Sequence, residues 1–143
     1  MKILICPDKY KGSLSALEVG KAIRDTIKKL DNNIITVLSP MADGGEGTAD
    51  TLIEGLNGKR IEHIVTGPTG EDVKAGFGII KGDTAVIEMS SASGLFMVPR
   101  QKRNPMRTTT YGTGELLKRA SLSGEVFLCL GREMHNLHSY KKG

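Results

Sequence analysis

The sequence predicts an α/β protein that opens as a parallel, doubly wound sheet. Three observations predict it. A short apolar run at residues 2–7 precedes a helix-patterned segment at 15–30. A β-branched run at 34–38 precedes a second helical segment at 48–56. Each run ends in a polar, glycine-containing loop, and in open α/β sheets ligands bind at the carboxyl ends of the strands.

Lys2-Ile3-Leu4-Ile5-Cys6-Pro7 has the length and composition of a buried parallel strand. After the loop at 8–14, Ser15-Ala16-Leu17-Glu18 forms a capping box, with Ser15 as N-cap and Glu18 reaching back. Val19, Ile23, Ile27 and Leu30 recur at helical spacing, and Lys28 and Lys29 sit in the last turn, where the helix dipole favours cations. Asp31-Asn32-Asn33 ends this helix. Ile34-Ile35-Thr36-Val37-Leu38 is the second strand, and the helix at 48–56 stops at Asn57-Gly58.

The texture changes after Gly58. Residues 60–66 read as a strand and Gly67-Pro68-Thr69-Gly70 as a turn. Val73, Ala75, Phe77 and Ile79 alternate, and Lys81-Gly82-Asp83 breaks the chain before a strand at 84–89, which makes a hairpin or meander. A small-residue stretch, Ser90-Ser91-Ala92-Ser93-Gly94, and a basic proline-containing loop at 100–107 follow. A short helix is expected at 115–120 and a last strand at Val126–Leu130. His63 is expected on a solvated strand face, and Met41 and Met89 in the core.

Of the 143 residues, 38% are hydrophobic and 25% charged, a globular composition. No run approaches the ~20 apolar residues of a membrane span. The N-terminus is charged too early for a signal peptide. Cys6 and Cys129 make no disulfide framework, so the cytoplasm is expected. Aromatic residues are 4%, too few for stacking platforms that bind single-stranded nucleic acid. Residues 1–99 carry 11 basic and 13 acidic side chains, whereas residues 100–143 carry 9 and 3, so the positive charge lies at the C-terminal end.

Three loops carry candidate chemistry. Asp43-Gly44-Gly45-Glu46-Gly47 sets two carboxylates among three glycines between a strand and a helix. Glycine lets a backbone approach a ligand closely, and a helix N-terminus favours anions. A carboxylate there can take a hydroxyl proton or hold Mg²⁺. A tight turn with a capping acid reads equally well. Asp8-Lys9-Tyr10-Lys11-Gly12-Ser13 offers a carboxylate, two ammoniums and a hydroxyl beside a second helix start, a set suited to a phosphate or small carboxylate. If the two strands are neighbours, both loops face one crevice. In the third loop, residues 108–114, three threonines and Gly112-Thr113-Gly114 precede a helix and could cradle a phosphate or a hydroxy acid, with Thr110, Gly112 and Thr113 as the candidates, although threonine runs also make edge strands. No P-loop and no Gly-x-Gly-x-x-Gly dinucleotide fingerprint is present.

Pro7-Asp8-Lys9-Tyr10-Lys11-Gly12-Ser13-Leu14-Ser15-Ala16 and Pro40-Met41-Ala42-Asp43-Gly44-Gly45-Glu46-Gly47-Thr48 closely resemble the N-terminal signatures of bacterial-type glycerate kinases. The resemblance continues through Val65-Thr66-Gly67-Pro68, Ala85-Val86-Ile87-Glu88-Met89 with Ser91-Ala92-Ser93-Gly94-Leu95, and Arg103-Asn104-Pro105 with Thr108–Leu116. It covers roughly residues 1–120. It implies an ATP- and Mg²⁺-dependent kinase phosphorylating D-glycerate. It also implies an incomplete Rossmann-like or flavodoxin-like parallel sheet begun by residues 1–58, and the start of an inserted second α/β domain at 59–120, with a further strand within 121–131. Asp43, Glu46 and Lys11 would be catalytic, with Asp43 as the one Mg²⁺ ligand candidate. Asp8, Lys9, Ser13, Gly44, Gly45, Thr110, Gly112 and Thr113 would bind substrate or phosphate. The expected partners are glycerate and nucleotide, with no nucleic acid and no membrane. The family is much longer than this chain, and its next glycine-rich loop has no counterpart in 132–143, an atypical tail of the kind a frameshift or early stop produces. The alternative expectation is therefore an inactive truncated fragment or a small hydroxy-acid-binding or anion-binding module.

Overall fold

The computed structural model describes residues 1–10, 12–122 and 124, and the backbone of 126–130. Two compact units divide after Asp43.

The first unit holds strand β1 (Lys2–Ile5), helix α1 (Ala16–Leu30) and strand β2 (Ile35–Leu38). β1 and β2 pair in parallel from Lys2↔Ile35 to Ile5↔Leu38. The connection between parallel strands needs a crossover, which α1 provides. The capping box forms as expected: Ser15 Oγ accepts the Glu18 N–H at 3.2 Å, and Glu18 Oε2 accepts the Ser15 N–H at 2.8 Å. That exchange satisfies two of the N–H groups a helix start leaves over. Strand side chains alternate in direction. Ile5 is buried and Ile3, Thr36 and Leu38 half-buried, whereas Leu4, Ile35 and Val37 on the opposite face are exposed. Parallel sheets are usually covered on both faces.

The second unit begins with α2 (Thr48–Gly55) and continues with β3 (Lys59–Thr66), β4 (Asp72–Ile80), β5 (Thr84–Glu88), α3 (Ser90–Ser93), α4 (Tyr111–Leu122) and β6 (Val126–Leu130). The sheet order is β3-β4-β5-β6, with β3–β4 and β4–β5 antiparallel and β5–β6 parallel. The middle of β5, residues 85–87, is apolar, and both of its faces are covered. Ala85 and Ile87 join Val65, Ala75, Phe77, Ala92, Leu116 and Ala120 in one core. Val86, facing the other way, packs with Ile80 and with Ala49, Leu52 and Ile53 of α2.

α2 buries its apolar side on β4 and β5. The differences from the sequence reading are local. α4 starts at Tyr111 instead of 115, so Gly112 and Thr113 lie in its first turn. Ser90–Ser93 is a short helix, and Leu95–Met97 and Arg100–Lys102 are 3₁₀ turns. Met41 is 54% exposed and does not join the core, since it lies past the end of β2. Met89 is half-buried. His63 is half-buried and stacks on Phe77 at a ring separation of 5.9 Å, because the β3–β4 register sets it diagonally opposite that ring. Among the described residues no helix is long and apolar enough to cross a membrane. Lys11 and the tail 132–143 lie outside the described residues.

Candidate functional site

In the first unit, the loops leaving β1 and β2 run side by side beyond the strands. The Ser39 N–H donates to Ile5 O at 2.8 Å, and the Met41 N–H donates to Pro7 O at 2.8 Å. Extending the pairing by these two bonds carries the residues after Pro7 and after Met41 to the same end of the sheet. Lys9 Nζ consequently lies 4.0 Å from Asp43 Oδ1, with side chains 14% and 31% exposed. A contact of this length and exposure contributes about 0–1 kcal/mol. Its importance is therefore chemical: an ammonium and a carboxylate stand together at the carboxyl end of two adjacent parallel strands. Asp8 is exposed, and its Oδ1 accepts the Lys9 N–H at 2.7 Å. Tyr10 O accepts the Ser13 N–H at 2.9 Å and the Leu14 N–H at 3.2 Å, which turns the chain back, and Ser13 is exposed. Gly12 has φ +70° in this turn.

The second unit begins with the remainder of the acidic loop. Gly44 (φ +87°) and Gly47 (φ +84°) take the left-handed backbone that glycine adopts without strain. A Cβ at Gly44 would meet nothing within 4 Å, so its backbone is open to a ligand. Gly45 is half-buried and Glu46 exposed. Past the turn, the Gly47 N–H donates to Glu88 Oε1 at 3.0 Å and the Ala49 N–H to Glu88 Oε2 at 3.0 Å. Ser90 Oγ donates to Glu88 Oε1 as well. A carboxylate from the end of β5 therefore caps α2, whose own N-cap, Gly47, has no side chain to do so.

The third candidate loop packs at the end of β3. The Thr109 N–H donates to Pro68 O at 2.9 Å, and Thr110 O accepts the Thr113 N–H at 3.1 Å. Thr113 Oγ1 is buried and lies 2.8 Å from Ser93 Oγ, so its hydroxyl serves α3–α4 packing. Gly112 is buried with no room for a side chain: a Cβ there would collide with Thr66 O and stand 3.2 Å from Val65 Cγ2. Both residues thus have a packing reason to be what they are.

Glu115, one turn into α4, accepts the Thr66 N–H at 2.7 Å. That backbone hydrogen bond, above all, holds its carboxyl below the ordinary glutamate value. Because the unfolded chain lacks the bond, unfolding takes up a proton at acid pH. The stabilisation is complete above the ordinary glutamate range and is lost as pH falls through the lowered value. An NMR titration should show the Thr66 amide shifting with a midpoint below that of a free glutamate. Glu115→Gln should abolish this transition; a midpoint at the free value would remove the bond from consideration.

The structure thus brings Lys9 and Asp43 together and places Glu46, Gly44 and Gly45 in a turn anchored by Glu88. Among the described residues no group of three or more His, Cys, Asp or Glu is assembled to hold a metal. Glu88, Ser90 and Ser93 were not among the candidates read from sequence. The available signal was an acid closing an otherwise apolar strand, directly before a run of small hydroxyl residues.

The model of the glycerate kinase family matches residues 3–132. The chain belongs to the glycerate kinase family. It is 52% identical over 132 residues to a glycerate kinase of Bacillus subtilis (strain 168), covering 92% of this chain and 35% of that one. It is 48% identical over 132 residues to a glycerate 2-kinase of Escherichia coli (strain K12), again covering 92% and 35%. A crystal structure from Salmonella typhimurium LT2, described as glycerate kinase 2, superposes with a TM-score of 0.74 at 43% identity, over 90% of this chain and 35% of that one. The chain therefore spans about a third of the length of the glycerate kinases it matches, and the mixed α/β architecture agrees with part of that fold.

Proposed function

We propose that this chain carries the substrate loops of a glycerate kinase, an enzyme that transfers the γ-phosphoryl group of ATP to a hydroxyl of D-glycerate. The observation that carries the reading is the approach of Lys9 to Asp43 at the carboxyl ends of β1 and β2. Phosphoryl transfer needs mainly positioning and charge stabilisation. Lys9 neutralises the glycerate carboxylate or a phosphate. Asp43 or Glu46 orients the attacking hydroxyl and receives its proton. The open backbone at Gly44 lets a ligand approach closely. Lys11, Asp8 and Ser13 extend the first loop's contribution, and Thr110 that of the α4 entrance.

The donor set fits a nucleotide-borne Mg²⁺. This ion keeps several waters and takes one or two carboxylates together with phosphate oxygens, and Asp43 supplies one such carboxylate. When bound, it would neutralise charge on the phosphates. Residues 1–58 and 59–120 would belong to the two domains of the full enzyme, acting in the cytoplasm on small molecules.

A second reading is a hydroxy-acid-binding module without turnover. The Lys9–Asp43 approach serves this reading as well, since the ammonium can hold the carboxylate of such an acid without any transfer step. A coupled assay of ADP formation with D-glycerate and Mg-ATP, run beside a calorimetric titration with D-glycerate alone, separates the two. Glycerate-dependent ADP formation supports the kinase. Binding without turnover supports the module. The absence of both removes glycerate from the account of this chain.

A further inference from the structure

We infer that Glu88 is a positioning residue that sets the conformation of the acidic glycine turn. The inference that the turn then serves glycerate rests on the reading above. Glu88 is 5% exposed at the end of β5. Its two oxygens divide between two backbone donors, Gly47 N–H on Oε1 and Ala49 N–H on Oε2, each at 3.0 Å. Ser90 Oγ adds a third donor on Oε1. These donors come from residues 41 and 39 positions earlier in the chain and from the start of α3.

The consequence is geometric. The turn at 44–47 holds two left-handed glycines and no capping side chain of its own; the Thr48 N–H closes it locally on Gly45 O at 3.2 Å, and Glu88 ties it to β5. Hydrogen bonds to a charged acceptor are stronger than neutral ones, and two that diverge from one carboxylate fix an orientation as well as a distance. β5 is buried on both faces by the two cores of the unit, which makes it a rigid base. Glu88 transfers that rigidity to Gly47 and hence to Glu46, the neighbouring acid. Thr48 Oγ1, at the first position of α2, is buried with no hydrogen-bond partner among the described residues, so it adds no alternative tether.

The isosteric variant Glu88→Gln tests this on the full chain. An amide has one oxygen and one NH₂, so it accepts from only one of Gly47 and Ala49 and sets a donor against the other. Three readings are taken: amide hydrogen exchange of Gly47 and Ala49 by NMR, D-glycerate affinity by calorimetry, and the thermal midpoint as a fold control. Exchange at one or both amides is expected to rise by about 10- to 100-fold, the span of a hydrogen bond to a charged group. Glycerate affinity is expected to fall by about 10-fold or more, as misplaced binding groups lose their alignment. If the variant does not fold, Glu88→Asp is read instead. It keeps the charge with a shorter reach, and the same losses are expected.

Unchanged exchange overturns the proposal whatever happens to binding. Faster exchange with glycerate affinity within twofold of wild type shows a strut without a positioning role and also overturns it. Faster exchange in a chain whose wild type binds no glycerate leaves the turn's positioning standing and sinks the glycerate reading instead.

Discussion

Gly112→Ala is expected to destabilise the second unit by about 3 kcal/mol, the upper range of overpacking substitutions. The reason is the object that the new methyl group meets. It would collide with the carbonyl oxygen of Thr66, with the carbonyl carbon at 3.0 Å and Val65 Cγ2 at 3.2 Å. A flexible side-chain tip can turn aside, but the backbone at the end of β3 is tied by Thr66 N–H to Glu115. α4 must therefore withdraw from β3, which loosens Leu116 and Ala120 from the core they share with Val65, Phe77 and Ile87. Urea unfolding followed by circular dichroism measures the loss. A midpoint shift equivalent to less than about 0.5 kcal/mol, the usual range for harmless surface changes, would mean that α4 does not sit as close as described. The prediction also separates two explanations of this glycine: a residue needed only to bind phosphate would give an alanine variant of normal stability and impaired binding.

Asp43→Asn is the substitution with the largest expected functional effect. In a chain that turns over, glycerate-dependent ADP formation should fall by about 10²- to 10⁴-fold, the contribution of a positioned acid or base. The amide keeps the shape of the carboxylate but loses its charge and its ability to accept a proton. The unfolding midpoint is measured on the same variant, so that a loss of fold is told apart from a loss of chemistry. Glu46→Gln run in parallel, with the Mg²⁺ dependence of both variants, separates the roles: lost turnover at an unchanged Mg²⁺ requirement marks the base, and a raised requirement marks the ion's ligand. A wild-type rate in Asp43→Asn excludes Asp43 from the chemistry.

What could be read in advance follows the range of the interaction. α1 was visible because its start is settled within four residues by Ser15 and Glu18. The two strands were visible in the apolar runs, whereas the meeting of their loops depended on the strands being neighbours, which the parallel pairing of β1 with β2 supplies. The start of α4 was not visible. Thr110-Tyr111-Gly112-Thr113-Gly114 has poor helix formers, and its helical turn is held by Ser93 and by the close approach to Thr66, both distant in sequence. α3 carries no periodicity in Ser-Ser-Ala-Ser. Glu88 was hidden for the same reason: its role depends on two amides some forty positions earlier, a pairing that only the folded sheet creates. The packing of α2 on Ile80 and Val86 was hidden as well, because those partners lie about thirty positions further along the chain.

The change of strand direction at β5 bears on how the molecule is made. β3, β4 and β5 are joined by short reversals, so a growing polypeptide can zip them together as each leaves the ribosome. β6 must wait until the whole crossover through α3 and α4 has been synthesised, and closing so long a loop is the slow entropic step. Until then the outer rim of β5 stands bare during translation. That interval is when the nascent protein is most open to capture by chaperones or by its own kind.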